Sequence, residues 1–436
     1  MIVAGVFLCG AASTPLQAQS ADALIDKLVE KGILTTREAR ELREEADLGF
    51  TRASAAKTGL PEWVSQLKIY GDVRGRIESI SVDEPGVVDR LRYRGRARIG
   101  ITAKMLENFE AGIRLSTSDP DGTNGDPISS NATFQRNGSR KVVFFDLLYG
   151  KWTPLSKEGW ITSITAGKME NPFVVSDMEF DPDYTPEGVA IQGSRMLNDE
   201  HYLNWNLAAF ALNELSASSR DAYMLGTQLR WDGKYGQQEG YYTWESSLGV
   251  SWYGVNSADT LTAGTMSNVQ TGNTRDDDGV LVYRYNPIVV DASITYNLVH
   301  APLYNGPFPI KVSADFMHNP AAPDDNNGWW VGLTLGKAGK KRTWEFSYRY
   351  KELQGDAWFE EVVDSDFGGY YGSSYGGKSG YASGTNVRGH IFKAVYQPAA
   401  AFNFAVTYFL TELINNPNPE SDSGAGRLQV DANWKF

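Results

Sequence analysis

Residues 90–99 read Arg90, Leu91, Arg92, Tyr93, Arg94, Gly95, Arg96, Ala97, Arg98, Ile99. In an extended strand, successive side chains point to opposite faces. One face of this stretch is therefore entirely guanidinium, and the other carries Leu91, Tyr93, Gly95, Ala97 and Ile99. Five cations in a row would repel each other in a dry core, whereas a water-filled interior screens them and facing carboxylates offset the rest. Arg74 and Arg76 on the preceding strand join the row. The alternative is the solvated outer face of a soluble sheet.

The same period of two recurs along the chain. Phe109, Ala111, Ile113 and Leu115 alternate with Glu110, Gly112, Arg114 and Ser116. Tyr242, Trp244, Leu248, Val250 and Trp252 alternate with Thr243, Glu245, Ser247 and Ser251, and Trp344, Phe346, Tyr348 and Tyr350 with Glu345, Ser347, Arg349 and Lys351. A soluble sandwich alternates too. Aromatic residues at both strand ends with aliphatic ones between favour strands that cross a bilayer with the apolar face outward. From Gln66 onward about sixteen strands are expected, near residues 66, 90, 109, 140, 160, 188, 201, 221, 241, 287, 308, 328, 342, 386, 401 and 427. Connections alternate between short ones, such as 107–108, 196–200 and 398–400, and long ones: 119–138, 170–187, 254–286, 352–385 and 412–425. That is the arrangement of a closed transmembrane barrel, since an unpaired edge in lipid costs several kcal/mol per group. A barrel of this size is too wide for side chains to fill and keeps an aqueous lumen.

The 436 residues include 44 Gly, 22 Tyr, 19 Phe and 12 Trp with 22% charged, a mixture suited to strands and hairpins. The apolar run Met1–Gly10 followed by small residues reads as a signal peptide over 1–19. Leu24, Ile25 and Leu28 on one stripe, Gly32 as a stop and the capping box of Thr35 and Glu38 predict a short helical hairpin over 20–50. A linker follows over 51–65, then the barrel over 66–436. The single cysteine, Cys9, lies in the leader, so no disulfide framework or thiol chemistry is expected. The net charge of −12 and the lack of a basic patch with interleaved aromatics argue against a nucleic-acid partner.

The long connection 170–187 carries Glu170, Asp177, Glu179, Asp181, Asp183 and Glu187, stiffened by Pro172, Pro182 and Pro186. Folded inward opposite Arg74, Arg76, Arg90, Arg92, Arg94, Arg96 and Arg98, it would form a constriction with a transverse field. The last strand ends with Leu428, Val430, Ala432, Trp434 and Phe436 on one face, and Trp434 with the terminal Phe436 resembles the signal read by the barrel assembly machinery. Asp119, Asp121 and Asp126, and Asp276 to Asp278, lack the ligand spacing of a calcium loop and read as turn formers. With four histidines (His201, His300, His318, His390) and no nucleophile elbow or H-E-x-x-H, no enzyme, cofactor or metal is expected.

Lys31 to Thr35, Gly167 to Phe173, and Asp181, Pro182, Asp183, Thr185, Pro186, Glu187, Gly188 and Val189 carry a resemblance. The chain resembles the bacterial outer-membrane putative porin family, related in architecture to the general and phosphate-selective porins, over nearly all of its length after the leader. The resemblance implies a sixteen-stranded barrel, an inward-folded third loop and a homotrimer. Here the third loop is strongly acidic, so the anion selectivity of the phosphate-selective relatives is not carried over. The expected function is passive diffusion of ions and small hydrophilic solutes across the outer membrane, with the N-terminal helices in the periplasm. Expected partners are outer-membrane lipid, lipopolysaccharide, the barrel assembly machinery and the solutes themselves. Two alternatives stand beside it: a barrel anchor tethering the envelope through its N-terminal helices, and a secreted carbohydrate-binding β-protein.

Overall fold

The structure, a computed structural model, describes residues 59–83, 87–121, 124–157, 159–262, 271–368, 384–416 and 422–436. The expected leader and helical hairpin, and most of the linker, lie outside these residues. The chain divides into two compact units. In the smaller one, whose described residues are 59–67 and 103–106, Ser65 Oγ donates to the Lys104 carbonyl at 3.1 Å and the Leu106 N–H to the Trp63 carbonyl at 3.0 Å. The larger, 68–102 with 107–436, is the barrel.

Sixteen strands carry it, with one end each of β1 and β2 counted in the smaller unit: β1 (Val64–Val82), β2 (Arg90–Met105), β3 (Phe109–Thr117), β4 (Val143–Lys157), β5 (Trp160–Lys168), β6 (Glu187–Asn198), β7 (His201–Asn213) and β8 (Ala222–Gln238) in the first half. The second half has β9 (Tyr241–Asn256), β10 (Ile288–Leu298), β11 (Phe308–His318), β12 (Asn327–Gly336), β13 (Thr343–Leu353), β14 (Val387–Ala399), β15 (Phe402–Leu413) and β16 (Ala425–Lys435). Each starts within a few residues of the position that alternation gave. All sixteen run antiparallel to their neighbours, and the ring closes where β1 pairs with β16, from Asp72 opposite Lys435 to Val82 opposite Ala425. Closure satisfies the backbone groups that an open sheet would leave unpaired. In the second long loop, Pro120–Asp121 pairs with Asn124–Gly125, and Ala132–Thr133 lies against Arg94 and Gly95.

The faces sort as the alternation required. On β2, Leu91, Tyr93 and Ile99 are 61%, 50% and 50% exposed, while Arg92, Arg94 and Arg96 are 9% or less. The arginines therefore point into the ring. Val250 is 47% exposed on the outer face, which rules out a stacked-sheet sandwich. Aromatic pairs ring the outside at the short-turn end: Phe109 with Trp152, Trp244 with Tyr296, Phe308 with Trp344 and Phe402 with Trp434. Toward the long loops, Tyr93, Tyr223, Trp252 and Phe316 are exposed, and Trp329 meets Tyr350. Two such belts with an aliphatic band between are the outer surface that a bilayer selects.

The hydrophobic core sits inside the ring rather than in the sheet. Met169, Phe173, Met178 and Phe180 of the third loop meet Trp358, Phe359, Val362 and Val363 of the segment 354–368. Both rest on Ala190, Phe210, Met224, Tyr253, Val289 and Met317 of β6 to β11. A smaller cluster gathers Phe367 with Ile80, Ile391 and Phe409.

Candidate functional site

The lumen wall is built from the inward side chains of β1, β2 and β16. Arg76 makes a bidentate pair with Asp431 (2.7 and 2.9 Å) and reaches Asp366 at 3.0 Å. Glu78, fully buried, is shared by Arg92 and Arg427, with Arg427 at 2.7 Å. Arg96 and Arg98 divide Asp72 between them, at 2.8 and 2.7 Å, and both reach Asp183. Arg94 donates to Ser129 and lies 3.7 Å from Asp119. Arg74 donates from Nε to Asn433 Oδ1 at 3.1 Å, and Arg90 is exposed at the loop end of β2. A buried cation is tolerable only when paired. The row is accordingly threaded with carboxylates, of which Asp72 and Glu78 stand on the same face of β1 as Arg74 and Arg76.

The third loop folds into the lumen. It leaves and re-enters the wall at Gly167 and Gly188, which face each other across β5 and β6 with φ of 116° and 157°. A Cβ would lie 2.2 Å from the Leu148 carbonyl at the first and 2.0 Å from the Ala209 carbonyl at the second. Only glycine fits either place. The Met169 N–H then donates to the Pro186 carbonyl at 2.9 Å and closes the base.

From there the acidic residues fan out to different walls. Glu170 pairs with Arg114 of β3. The amide of Gln228 on β8 clamps Val174, accepting from its N–H and donating to its carbonyl. Asp177 crosses to Arg349 and, at 3.3 Å, to Lys351 on β13. Glu179 accepts from the Tyr253 hydroxyl at 2.9 Å, and its carbonyl accepts from the Trp358 indole at 2.6 Å. Asp181 accepts from the Ser365 N–H, while Asp183 pairs with Arg96 and takes the Ser130 hydroxyl at 2.7 Å. Glu187 is different: it begins β6, exposed, beside Lys168 at 3.1 Å. The structure thus brings Asp183 onto the arginine row itself and sends Asp177 to the other side of the lumen.

These contacts set the loop's charges. Burial pushes the Asp177 carboxyl up, but Arg349 and Lys351 outweigh it and hold the carboxyl below the usual carboxylate range. Arg427 and Arg76 do the same for Asp366 against burial, and Arg96 and Arg74 for Asp183. Asp181 goes the other way, pushed well up by burial and by Asp183 and Asp364. Glu179, buried among apolar rings and near Asp315, is pushed up to about 8. At neutral pH the loop is therefore less acidic than its composition suggests.

The segment 354–368 is the element that sequence reasoning left as an ordinary long loop. It turns inward against the third loop and is buried along most of its length. Asn273 Nδ2 donates to the Gly355 and Trp358 carbonyls, and Arg275 pairs with Glu360 at 2.7 Å with both side chains almost fully buried. Asp364 reaches Lys351 at 3.4 Å, and Asp366 meets Arg76 and Arg427. The signal was present in Trp358, Phe359, Val362, Val363 and Phe367, too many large apolar side chains for a solvated loop.

With the loop end of β6 to β11 covered by this core, open space remains along the wall of β13 to β16 and β1 to β2, as well as in a recess between β3, β4 and the inward loops. One recess of about 460 Å³ is lined by Asp72, Arg74, Arg96, Arg98, Arg114 and Lys435, and another of about 420 Å³ by Arg74, Asp183, Arg349, Lys393, Thr407 and Asn433, among others. Both touch Arg74, Asn403, Asn433 and Lys435. Residues 86–253 match the family described as “Putative porin”. Over that span the chain is similar to that family. No curated protein matches the chain.

Among solved structures, the porin-matched chain is similar to the loop L8 deletion mutant of OmpT, an outer membrane protein of Vibrio cholerae. The identity is 8%, the match covers 85% of this chain and 99% of that one, and the TM-score is 0.45. A triple mutant of the Rhodopseudomonas blastica porin matches at 10% identity over 85% and 100%, TM-score 0.43. OmpF of Salmonella typhi in complex with daunomycin matches at 11% over 85% and 97%, TM-score 0.46.

Trp434 packs outside on Phe402, and Phe436 exchanges backbone hydrogen bonds with Gly71 while its side chain is exposed. Asp119 accepts from Thr133, Asp126 from the Ile128 N–H, and Asp276 from the Asp278 and Val280 N–H groups, the work of loop-shaping residues. Asp121 pairs through its backbone with Asn124. Among the described residues, no group of three or more His, Cys, Asp or Glu is placed to hold a metal.

Proposed function

We propose that the chain is an outer-membrane porin through which ions and small hydrophilic solutes diffuse. The observation that carries this reading is the pairing of an apolar, aromatic-belted exterior with a charged interior that the inward loops narrow while leaving the recesses beside Arg74 open. Arg74, Arg76 and Arg92 to Arg98 form the basic part of the passage wall, and the third loop with Asp177, Glu179, Asp181 and Asp183 narrows it. Because most of these groups are paired across short distances, the wall presents alternating charge rather than a uniform basic surface. Permeability then depends on size and polarity more than on the sign of the solute's charge.

The leader directs export, Trp434 and Phe436 engage the barrel assembly machinery, the outer face meets lipid and lipopolysaccharide, and three copies associate with the N-terminal helices in the periplasm. Purified protein in planar bilayers is expected to give stable open channels, with weak ion selectivity in a salt gradient. The absence of conductance at every voltage tested would overturn the reading. Cross-linking in native membranes tests the trimer, and a band no larger than one chain would remove it.

A further inference from the structure

We infer that the lumen carries a binding subsite for small organic monocarboxylates on the wall formed by β15, β16 and β1, with Arg74 as its anchor; this deepens the porin reading and rests on it. Arg76, Arg92, Arg94, Arg96, Arg98 and Arg114 each have a carboxylate within ion-pair distance. Arg74 does not. Its Nε is taken by Asn433 Oδ1 at 3.1 Å, and among the described residues its two terminal nitrogens have no partner, although the side chain lines both recesses. A guanidinium with its terminal nitrogens free offers a planar fork that matches a carboxylate.

Lys435, one register step along on β16, supplies a second cation without an ion pair among the described residues. Its cross-strand neighbour Asp72 has both oxygens engaged by Arg96 and Arg98. Beside the fork, Asn433 donates to Asn403 Oδ1 at 2.9 Å, which leaves the Asn403 amide N–H groups to meet a hydroxyl of the solute. The same surroundings set the charge of the guest. Asp72 and Asp183 lie close enough that a dianion would meet two carboxylates, whereas a single negative charge meets the free fork.

The probe is gluconate, with sorbitol as its neutral counterpart and inorganic phosphate at pH 8 as a dianion. Ligand-observed saturation-transfer NMR on the detergent-solubilised protein reads binding without requiring conductance. Gluconate signals are expected with the native chain, to fall at least about tenfold in Arg74→Gln and to return in Arg74→Lys. In bilayers, gluconate is expected to reduce the potassium chloride current, with the half-blocking concentration raised at least about tenfold in Arg74→Gln. Equal binding by Arg74→Gln, equal binding of sorbitol, or tighter binding of phosphate each overturns the subsite. A native chain that binds gluconate but passes no current overturns the porin reading and leaves the subsite standing.

Discussion

The two sides of the lumen are built from opposite materials. At the loop end of β6 to β11 the interior is apolar: Phe210, Met224, Tyr253 and Met317 receive Phe173, Phe180 and Trp358 from the inward loops, while Gln228, Arg230 and Asp291 line the same strands further along. Along β13 to β16 and β1 to β2 the interior is ionic and amide-rich, with Arg349, Lys393, Asn403, Asp431 and Arg74 around open recesses. The same alternating strands line both. The difference teaches that a wide barrel does not choose its passage by strand geometry; the loops choose it, by covering one wall and pairing their charges with the other.

That contrast can be broken most severely at its apolar centre. Trp358 is fully buried and its indole holds the Glu179 carbonyl. Trp358→Ala is expected to weaken docking of both loops by about 3–5 kcal/mol, read as a loss of amide exchange protection over 176–181 and 354–368 with the strands unchanged. Unchanged protection would mean the loops are held by their ion pairs alone. Asp177→Asn attacks the ionic tether and should cost about 2 kcal/mol, less than a fully buried pair because Arg349 keeps 26% of its side chain exposed. Its signature is noisier, larger single-channel current; a quiet channel of native conductance would count against a tethering role.

A third test uses pH. The carboxyl of Glu179 is protonated in the docked loop up to about 8, while an undocked loop would ionise near its ordinary 4.5. Since the folded value is the higher one, docking is fully supported below 4.5 and loses that support as pH rises toward about 8. Exchange protection of the third loop relative to Glu179→Gln is expected to fall at least about tenfold across that window. Asp177, Asp183 and Asp366 have lowered values, so their contribution persists at neutral pH and is lost only in acid. A ratio flat from pH 5 to 8 would show that Glu179 is ionised in the loop. The smallest effect belongs to the wet side: Thr407→Ala, on the passage wall and away from any ion pair, should change stability by less than about 0.5 kcal/mol in thermal unfolding, and a larger loss would place it in a packed region.

Much of the barrel was legible because its strands carry a period of two, with aromatic residues at their ends that set a bilayer-crossing strand apart from a sandwich strand. The arginine face of Arg90 to Arg98 and the terminal face of Leu428 to Phe436 fixed orientation as well as extent. The inward third loop was legible in the acidic, proline-stiffened run 170–187 and in the resemblance, and Gly167 and Gly188 record why it can turn. What alternation could not give is partnership across sequence: Arg76 meets Asp431, Glu78 meets Arg427, and Asp177 meets Arg349 because the ring closes and the loop spans it. The segment 354–368 escaped notice for a related reason. A loop has no period, so its apolar residues had no face to be assigned to until the far wall was known.

The seam between β1 and β16 lies in the middle of the ionic wall, and the residues it joins are among the most distant along the chain. Bringing them together must come late, because contacts of such separation carry the largest entropic delay. The part of the passage lining built from Arg74 with Asn433, Arg76 with Asp431 and Glu78 with Arg427 therefore does not exist until the barrel shuts. A stalled intermediate would offer the cell an incomplete, unmatched rim of arginines and aspartates, not a leaking hole of the finished kind, and the act of completing the ring is also the act that creates the route through it.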